Sequence, residues 1–176
     1  AVTTYPIVIG AGGAGRAGLP PTAGDQGSSS SAFSLTAAGG GGGGAATAPA
    51  SDPGIAGGPG GSGGGASGGN PNATAWAGGT GNTPPVSPPQ GHDGKSAPGT
   101  GAPSANGYYL QGGGAVSAGV VPNATNNGAP NTITGSDIIY SGSGPDTLSS
   151  ANTGNGGKAE GNSGLSGIVI IRYQFQ

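Results

Sequence analysis

The single histidine of the chain, His92, is the one side chain that could act as a general base near neutral pH. Asp93 follows it directly and Ser96 lies close behind, so the residue types of a nucleophilic triad occur together. Such a triad requires a rigid pocket in which a base activates the hydroxyl and a carboxylate orients the base. These three residues share one proline-flanked stretch, which is typical of a solvated turn. We therefore predict no catalytic residue and no enzymatic activity.

Acidic side chains could instead bind a metal ion or hydrolyse a glycosidic bond. A calcium loop places its oxygen ligands at fixed short intervals, and glycoside hydrolysis needs two facing carboxylates. The sequence shows neither pattern, so we expect no metal site. The acidic residues are scattered over Asp25, Asp52, Asp93, Asp137, Asp146 and Glu160.

The glycine-rich stretch from Gly10 to Gly15 follows a predicted strand, as a dinucleotide-binding loop would. That loop must open a helix whose N-terminus holds the pyrophosphate. The next residues, from Arg16 to Pro21, end in two prolines and do not permit a helix. We expect no nucleotide and no other cofactor.

Composition excludes several further classes of function. Only four residues are Lys or Arg, which is too few for a nucleic-acid surface. The absence of cysteine excludes a disulfide framework. No run approaches the roughly 20 apolar residues that span a bilayer, and residues 1–10 lack the pattern of a secretory signal. The length of 176 residues fits a single domain over residues 1–176.

Glycine dominates the chain, with 45 residues, and 16 prolines accompany it. Such a composition is typical of disordered chains. However, charged residues make up only 6% of the sequence, whereas most disordered chains are rich in charge. Apolar, β-branched and aromatic segments also interrupt the glycine runs. We therefore favour an ordered chain over a flexible Gly/Ser linker, which is the alternative.

Strands are expected where larger side chains alternate or where β-branched residues cluster. These segments predict a small strand layer that ties the two chain ends together. No window has a helical apolar period, so we expect essentially no α-helix. The predicted strand regions are residues 3–9, 32–36, 131–140 and 168–175.

The glycine segments between the strands need a source of stability other than buried side chains. Ordering glycine is costly because it loses more backbone freedom than any other residue. Extended left-handed helices of the polyproline II type have three residues per turn, and glycine allows them to pack closely. Each such helix can satisfy its backbone groups on its neighbours. The sequence therefore predicts a bundle of polyglycine II helices with a few short β-strands.

Several segments of the chain resemble the glycine-rich domains of phage tail and tail-fibre proteins. The closing stretch from Ser166 to Tyr173 is the most specific match, and the opening from Tyr5 to Gly15 is similar. The segments 37–44, 78–91 and 133–136 extend the resemblance. It implies a non-enzymatic viral protein, similar to tail-fibre tip adhesins in which loops of a polyglycine II sandwich contact a bacterial receptor. Residues 80–106 depart from the pattern because glycine is sparse and proline is common there.

Aromatic residues outside the predicted strands are the candidates for contact with a sugar or protein partner. We expect this role for Trp76, Tyr108, Tyr109 and the adjacent Leu110. Trp76 has the alternative of plugging the bundle or a subunit contact. The apolar residues of the predicted terminal strands are expected in a core or an assembly interface: Tyr5, Ile7, Ile9, Ile168, Ile170, Tyr173 and Phe175.

Three functions fit these features. The first is a phage tail-fibre adhesin on the virion, whose partners are a bacterial surface protein or glycan and other fibre subunits. The second is a self-assembling subunit of a virion decoration or an extracellular filament, joined through exposed strand edges. The third is an ice- or surface-binding protein that presents small side chains in flat arrays. The first two imply an oligomer or a larger assembly.

Overall fold

The computed structural model describes residues 3–16, 22–45, 54–68, 75–97, 108–119, 128–142, 153–156 and 163–172. This part of the chain contains no helix, and therefore none long and apolar enough to cross a membrane. Its strands are only two or three residues long, so the prediction of a mainly irregular fold without α-helix is confirmed. The strands are β1 (Ile7–Val8), β2 (Ser30–Ala32), β3 (Leu35–Ala37), β4 (Ser67–Gly68), β5 (Tyr108–Tyr109), β6 (Ala129–Asn131) and β7 (Ile138–Tyr140).

The hydrogen bonds between glycine segments recur at every third residue. The amide of Gly24 donates to the carbonyl of Gly43, and that of Gly27 to Gly40, both at 2.9 Å. A β-ladder repeats every two residues, whereas a step of three is the period of a polyproline II helix. The predicted polyglycine II bundle is therefore the fold. The same step joins Asp25 to Ala14 and Ser28 to Ala11, Gly41 to Ser62 and Gly44 to Gly65, Gly63 to His92 and Ala66 to Lys95, Leu110 to Ala66 and Gly113 to Gly63, and Gly164 to Gly13 and Gly167 to Gly10.

The segment 62–67 lies at the centre of the bundle. Gly63 donates to the carbonyl of His92 and accepts from the amide of Gly113, while Gly64 bonds Gly58 and Gly79 in the same way. Ser67 is completely buried. The core of this fold is thus hydrogen-bonded backbone rather than packed apolar side chains. Five segments surround the central one: 39–45, 54–61, 76–83, 91–97 and 110–114.

Glycine is required where segments approach most closely. A Cβ atom added at Gly63 would meet the carbonyl of Gly79, and one added at Gly64 would meet the carbonyl of Gly42. Both contacts would be far closer than real Cβ atoms tolerate. These positions therefore accept no side chain, which explains why the bundle interior excludes large residues.

The register of the hydrogen bonds assigns each segment a direction and gives the bundle two ends. We call the end that carries β1, β2 and β3 the hairpin end, and the opposite end, where Trp76 lies, the tryptophan end. The β6–β7 pair also lies at the hairpin end, because Ala115 donates to the carbonyl of Ser141 at 3.1 Å. Segments 10–15, 39–45, 62–67 and 91–97 run towards the tryptophan end, and segments 24–30, 54–61, 76–83, 110–114 and 163–167 run back.

The three-stranded sheet differs from the single strand expected over residues 32–36. Ala32 pairs with Ile7 of β1 on one side and with Leu35 of β3 on the other. The chain reverses between β2 and β3 at Phe33, whose φ of 57° lies in the left-handed region. That region is rarely adopted by an aromatic residue, so the alternating pattern of the sequence concealed the turn.

The carboxy-terminal segment also differs from its prediction. Residues 168–172 belong to no β-ladder among the described residues, and 173–175 lie outside them. Backbone bonds of the glycine type instead join the two chain ends. Gly164 donates to Gly13 at 2.9 Å, and Gly167 donates to Gly10 at 3.1 Å. The bundle itself, rather than a terminal sheet, holds the ends together.

Candidate functional site

The tryptophan end brings together two of the residues expected to contact a partner. Trp76 and Ala97 form an isolated bridge in which the Ala97 amide donates to the Trp76 carbonyl at 2.8 Å. Tyr109 pairs with Ser67 in the β4–β5 ladder. Gly79 donates to Gly64, so a shift of three residues places Trp76 level with Ser67. Trp76 and Tyr109 therefore flank the central segment at the same height.

The Trp76 indole is partly buried at this end. Its Nε1–H is shielded from solvent and has no hydrogen-bond acceptor among the described residues. A buried donor without an acceptor costs roughly 1–3 kcal/mol and is rare in folded proteins. The indole thus places an apolar ring at this end, with its N–H shielded from solvent.

Leu110 is partly buried and is hydrogen-bonded to the central segment of the bundle. Its side chain is partly buried, and its amide donates to the carbonyl of Ala66 at 3.1 Å. The backbone of Tyr108 and Tyr109 forms β5, directly before Leu110. The four residues predicted for contact thus occupy one end of the molecule, and Leu110 anchors their segment to the central one.

The hairpin end carries a group of exposed apolar residues, which we call the apolar cap. Leu35 is 74% exposed and Tyr5 is 56% exposed, and the Tyr5 and Phe33 rings lie 5.1 Å apart between centroids. These fractions show side chains that are not part of a core within this chain. The cap comprises Tyr5, Ile7, Val8, Ile9, Phe33, Leu35, Val86, Val116, Ile168 and Ile171.

The cap includes four of the residues expected in a core or an assembly interface, namely Tyr5, Ile7, Ile9 and Ile168. Their exposure places them outside a core within this chain, and the interface role stays a prediction. Ile170 is partly buried. Tyr173 and Phe175 lie outside the described residues.

An ordered loop holds Val86 within the cap. The Asn82 side-chain oxygen accepts hydrogen bonds from the amides of Val86 at 3.2 Å and Gln90 at 3.3 Å. Gln90 in turn accepts from the amide of Ala38 at 2.7 Å, which fastens the loop to the neighbouring segment. Sequence analysis missed this loop brace, although an asparagine before a proline-rich turn is a known signal for side-chain bonds to nearby amides.

The residues that could have formed a triad make separate structural bonds. Asp93 accepts a hydrogen bond from the amide of Gly81 at 2.7 Å, and the Ser96 hydroxyl accepts one from the amide of Gly78 at 3.0 Å. His92 is exposed, and its carbonyl accepts from Gly63. The side chains of Asp93 and Ser96 therefore stabilise the edge of the 76–83 segment. Among the described residues, no three His, Cys, Asp or Glu side chains lie close enough to hold a metal ion.

A cavity of about 710 Å³ lies between the glycine segments. The described part of its wall is formed mainly by backbone and by Gly, Ala and Ser residues. Arg16 and Asp25 are the charged residues in that described wall, and they pair with each other at 2.8 Å. The wall thus offers backbone hydrogen-bonding groups rather than acid–base chemistry.

Comparison with known proteins gives one match. A family model described as a glycine-rich domain matches residues 1–174, nearly the whole chain. No curated protein and no solved structure matches the chain. The resemblance to phage tail fibres stays a prediction from the sequence.

Proposed function

The chain belongs to the glycine-rich domain family, and we propose that it is a non-enzymatic structural and adhesive domain of a phage tail fibre. In this proposal the tryptophan end binds a protein or glycan on the bacterial surface. The domain acts on the virion, at the fibre tip or elsewhere on the tail, together with other fibre subunits. It uses no cofactor and no metal ion.

The stiffness of the bundle supports a positioning role. Each backbone bond between segments fixes a neighbour, and the central segment is bonded on five sides. A bundle of this kind places its two ends at a fixed separation without needing a side-chain core. A fibre domain needs this property because its binding end must project from the particle.

The clustering of Trp76 and Tyr109 at one end is the observation that carries the adhesive role. The hydrogen-bond register brings these residues to one height although they are distant in sequence. Tryptophan and tyrosine provide large contact areas with little loss of side-chain entropy, and they dominate many binding interfaces.

The test is binding of the fluorescently labelled domain to a panel of Gram-negative and Gram-positive cells, measured by flow cytometry. Trp76→Ala should weaken binding to a responsive strain by about 30-fold, the effect of losing roughly 2 kcal/mol at a central contact. Trp76→Phe keeps a smaller aromatic ring, so its binding should be intermediate.

Thr80→Ala, at an exposed position on the side of the bundle, serves as the control and should bind as the unchanged domain does. Thermal melting checks that each variant is folded. Equal binding by Trp76→Ala and the unchanged domain would refute the proposed site, and no binding to any strain of the panel would count against the adhesive role.

A second candidate function is supported by the apolar cap. A subunit of a virion decoration or an extracellular filament needs apolar contact surfaces for assembly, and the cap supplies one such surface. Electron microscopy of the native assembly with a label on this chain separates the two functions. A single label at each fibre tip supports the adhesin, whereas regularly repeated label along a filament supports the building block.

A further inference from the structure

We propose that the apolar cap is an isologous interface through which two copies of this chain associate, hairpin end to hairpin end. The inference concerns the end opposite the proposed receptor site. It therefore holds or fails independently of receptor binding, although it gives the oligomer expected from the sequence a defined surface.

The distribution of large apolar side chains is the first observation. Every exposed large apolar residue in the described part of the chain lies at the hairpin end. Some lie in or beside β1–β3, Val86 and Val116 lie in turns between glycine segments, and Ile168 and Ile171 follow the Gly167–Gly10 bond. Scattered exposed apolar residues are normal, whereas their concentration at one end of a molecule is typical of an interaction site.

The sides of the bundle show that this concentration is not imposed by the fold. Exposed positions along the segments carry small or polar residues, such as Ala14, Gln26, Thr80 and Ser96. A hydroxyl or amide is equally compatible with an exposed position at the hairpin end. Leu35 and Ile7 therefore occupy positions where the backbone would accept a polar residue. A partner that covers them explains why these positions carry apolar side chains.

The three-stranded sheet also lacks a covered face. Ile7 and Val8 point to opposite faces of β1, and both side chains are about half exposed. All three residues of β3 are exposed as well. A small sheet of this kind gains stability when an apolar face packs against another layer. The equivalent sheet of a second copy supplies such a layer.

The size of the cap fits a dimer. If each of its ten side chains offers at most about half of the ~150 Å² at the low end of the aromatic range, the cap presents up to roughly 750 Å². That area is close to the ~800 Å² which each partner contributes to a standard interface. Obligate oligomers bury more, so we expect a dimer that dissociates on dilution.

The charges and the symmetry of the surface favour a second copy as the partner. Asp137, in the β6–β7 turn, and Arg172, after Ile171, are charged residues of opposite sign near this end. The cap itself consists of uncharged residues, so its own side chains bring no like charges together. An open filament would need a second, complementary apolar surface, and the described part of the tryptophan end presents no exposed large apolar residue. A closed dimer is the arrangement that uses one surface twice.

Sedimentation velocity from ~1 to ~100 µM tests the dimer directly. We expect the unchanged chain to pass from monomer to dimer within this range. The double variant Ile7→Ser with Leu35→Ser should raise the dissociation constant at least tenfold, because apolar area no longer leaves water. The matched control, Ile55→Ser, alters a partly buried isoleucine at the tryptophan end and should leave the dissociation constant unchanged.

Crosslinking supplies a test that does not depend on destabilising variants. The chain has no cysteine, so single replacements at exposed positions can be linked with a short bis-maleimide. Ser34→Cys, in the β2–β3 turn, should give a covalent dimer, and Thr22→Cys, near the tryptophan end, should stay monomeric.

A chain that is monomeric at ~100 µM would overturn the inference, and so would equal crosslinking of the two variants. Association that Ile55→Ser weakens and the cap variant does not would overturn it as well. Cell binding by the monomeric cap variant reports on the receptor site alone, so failure of one proposal is distinguishable from failure of the other.

Discussion

Two adjacent glycines in the run from Gly39 to Gly44 are expected to respond in opposite ways to the same substitution. A Cβ at Gly42 would meet the carbonyl of Gly24, whereas a Cβ at Gly43 would meet nothing within 4 Å. Gly42 is buried, and its own carbonyl accepts the amide of Gly58 at 2.8 Å. Gly42→Ala should therefore destabilise the fold, and Gly43→Ala should not.

The size of the difference follows from three terms. Forcing a methyl group into a packed site costs about 1–3 kcal/mol, and displacing a buried hydrogen-bonded carbonyl costs about another 1–3 kcal/mol. Replacing glycine by alanine returns about 0.4–1 kcal/mol by restricting the unfolded chain. The net loss for Gly42→Ala is near 3 kcal/mol, or a fall in Tm of roughly 10 °C for a chain of this length. Gly43→Ala has only the favourable effect of restricting the unfolded chain, so its Tm should be slightly higher than that of the unchanged chain.

Differential scanning calorimetry of the two variants and the unchanged chain measures this difference. Their compositions are identical, so effects of overall helix or strand propensity cancel in the comparison. In a flexible glycine linker, the two positions would be equivalent. Equal shifts in Tm would refute the assignment of Gly42 to a close contact between segments and would put the register of the bundle in doubt.

Two further changes test other parts of the fold. The Asn155 side chain is buried and accepts a hydrogen bond from the Gly142 amide at 2.9 Å. Asn155→Ala should therefore cost about 1–3 kcal/mol in chemical denaturation, and an unchanged free energy of unfolding would contradict this reason. Arg16 and Asp25 pair on the surface with about half of each side chain exposed, so Arg16→Gln should lower stability by less than ~1 kcal/mol. A larger loss that persists in high salt would show that the pair is not screened as an exposed pair should be.

The general architecture could be predicted from the sequence because a glycine-rich chain has few ways to form an ordered structure. A chain with recurrent glycine and proline excludes an α-helix, and its scarce apolar residues exclude a conventional core. Backbone hydrogen bonding is the remaining source of order, and a three-residue period follows from it. The prediction of a polyglycine II bundle with short strands is therefore confirmed.

Details that depend on the backbone angles of single residues could not be predicted from the sequence. The positive φ of Phe33 turns the predicted strand 32–36 into the tip of a hairpin, and no residue preference announces such an angle at phenylalanine. The positive φ of Asn82 begins the braced loop in a similar way. Asparagine adopts this region more readily, so this second feature was within reach of the sequence.

The grouping of Trp76 with Tyr109 depended on the order of segments in space. Both residues were predicted to contact a partner, but their proximity follows from the position of the 62–67 segment between the 76–83 and 110–114 segments. Glycine segments are nearly identical in sequence, so composition does not specify which of them become neighbours. The hydrogen-bond register supplies that information.

The physical basis of this fold explains why its two ends, rather than its sides, are the places to look for function. The interior accepts no Cβ at positions such as Gly63 and Gly64, so large side chains are restricted to the surface and the ends. Exposed positions along the sides carry small or polar residues, and the large residues concentrate at the ends. The hairpin end presents exposed apolar side chains, which is the basis of the proposed association between two copies. The tryptophan end holds Trp76 and Tyr109 at one height, which is the basis of the proposed receptor site. A bundle that is stabilised through its backbone thus leaves its few large side chains available for binding.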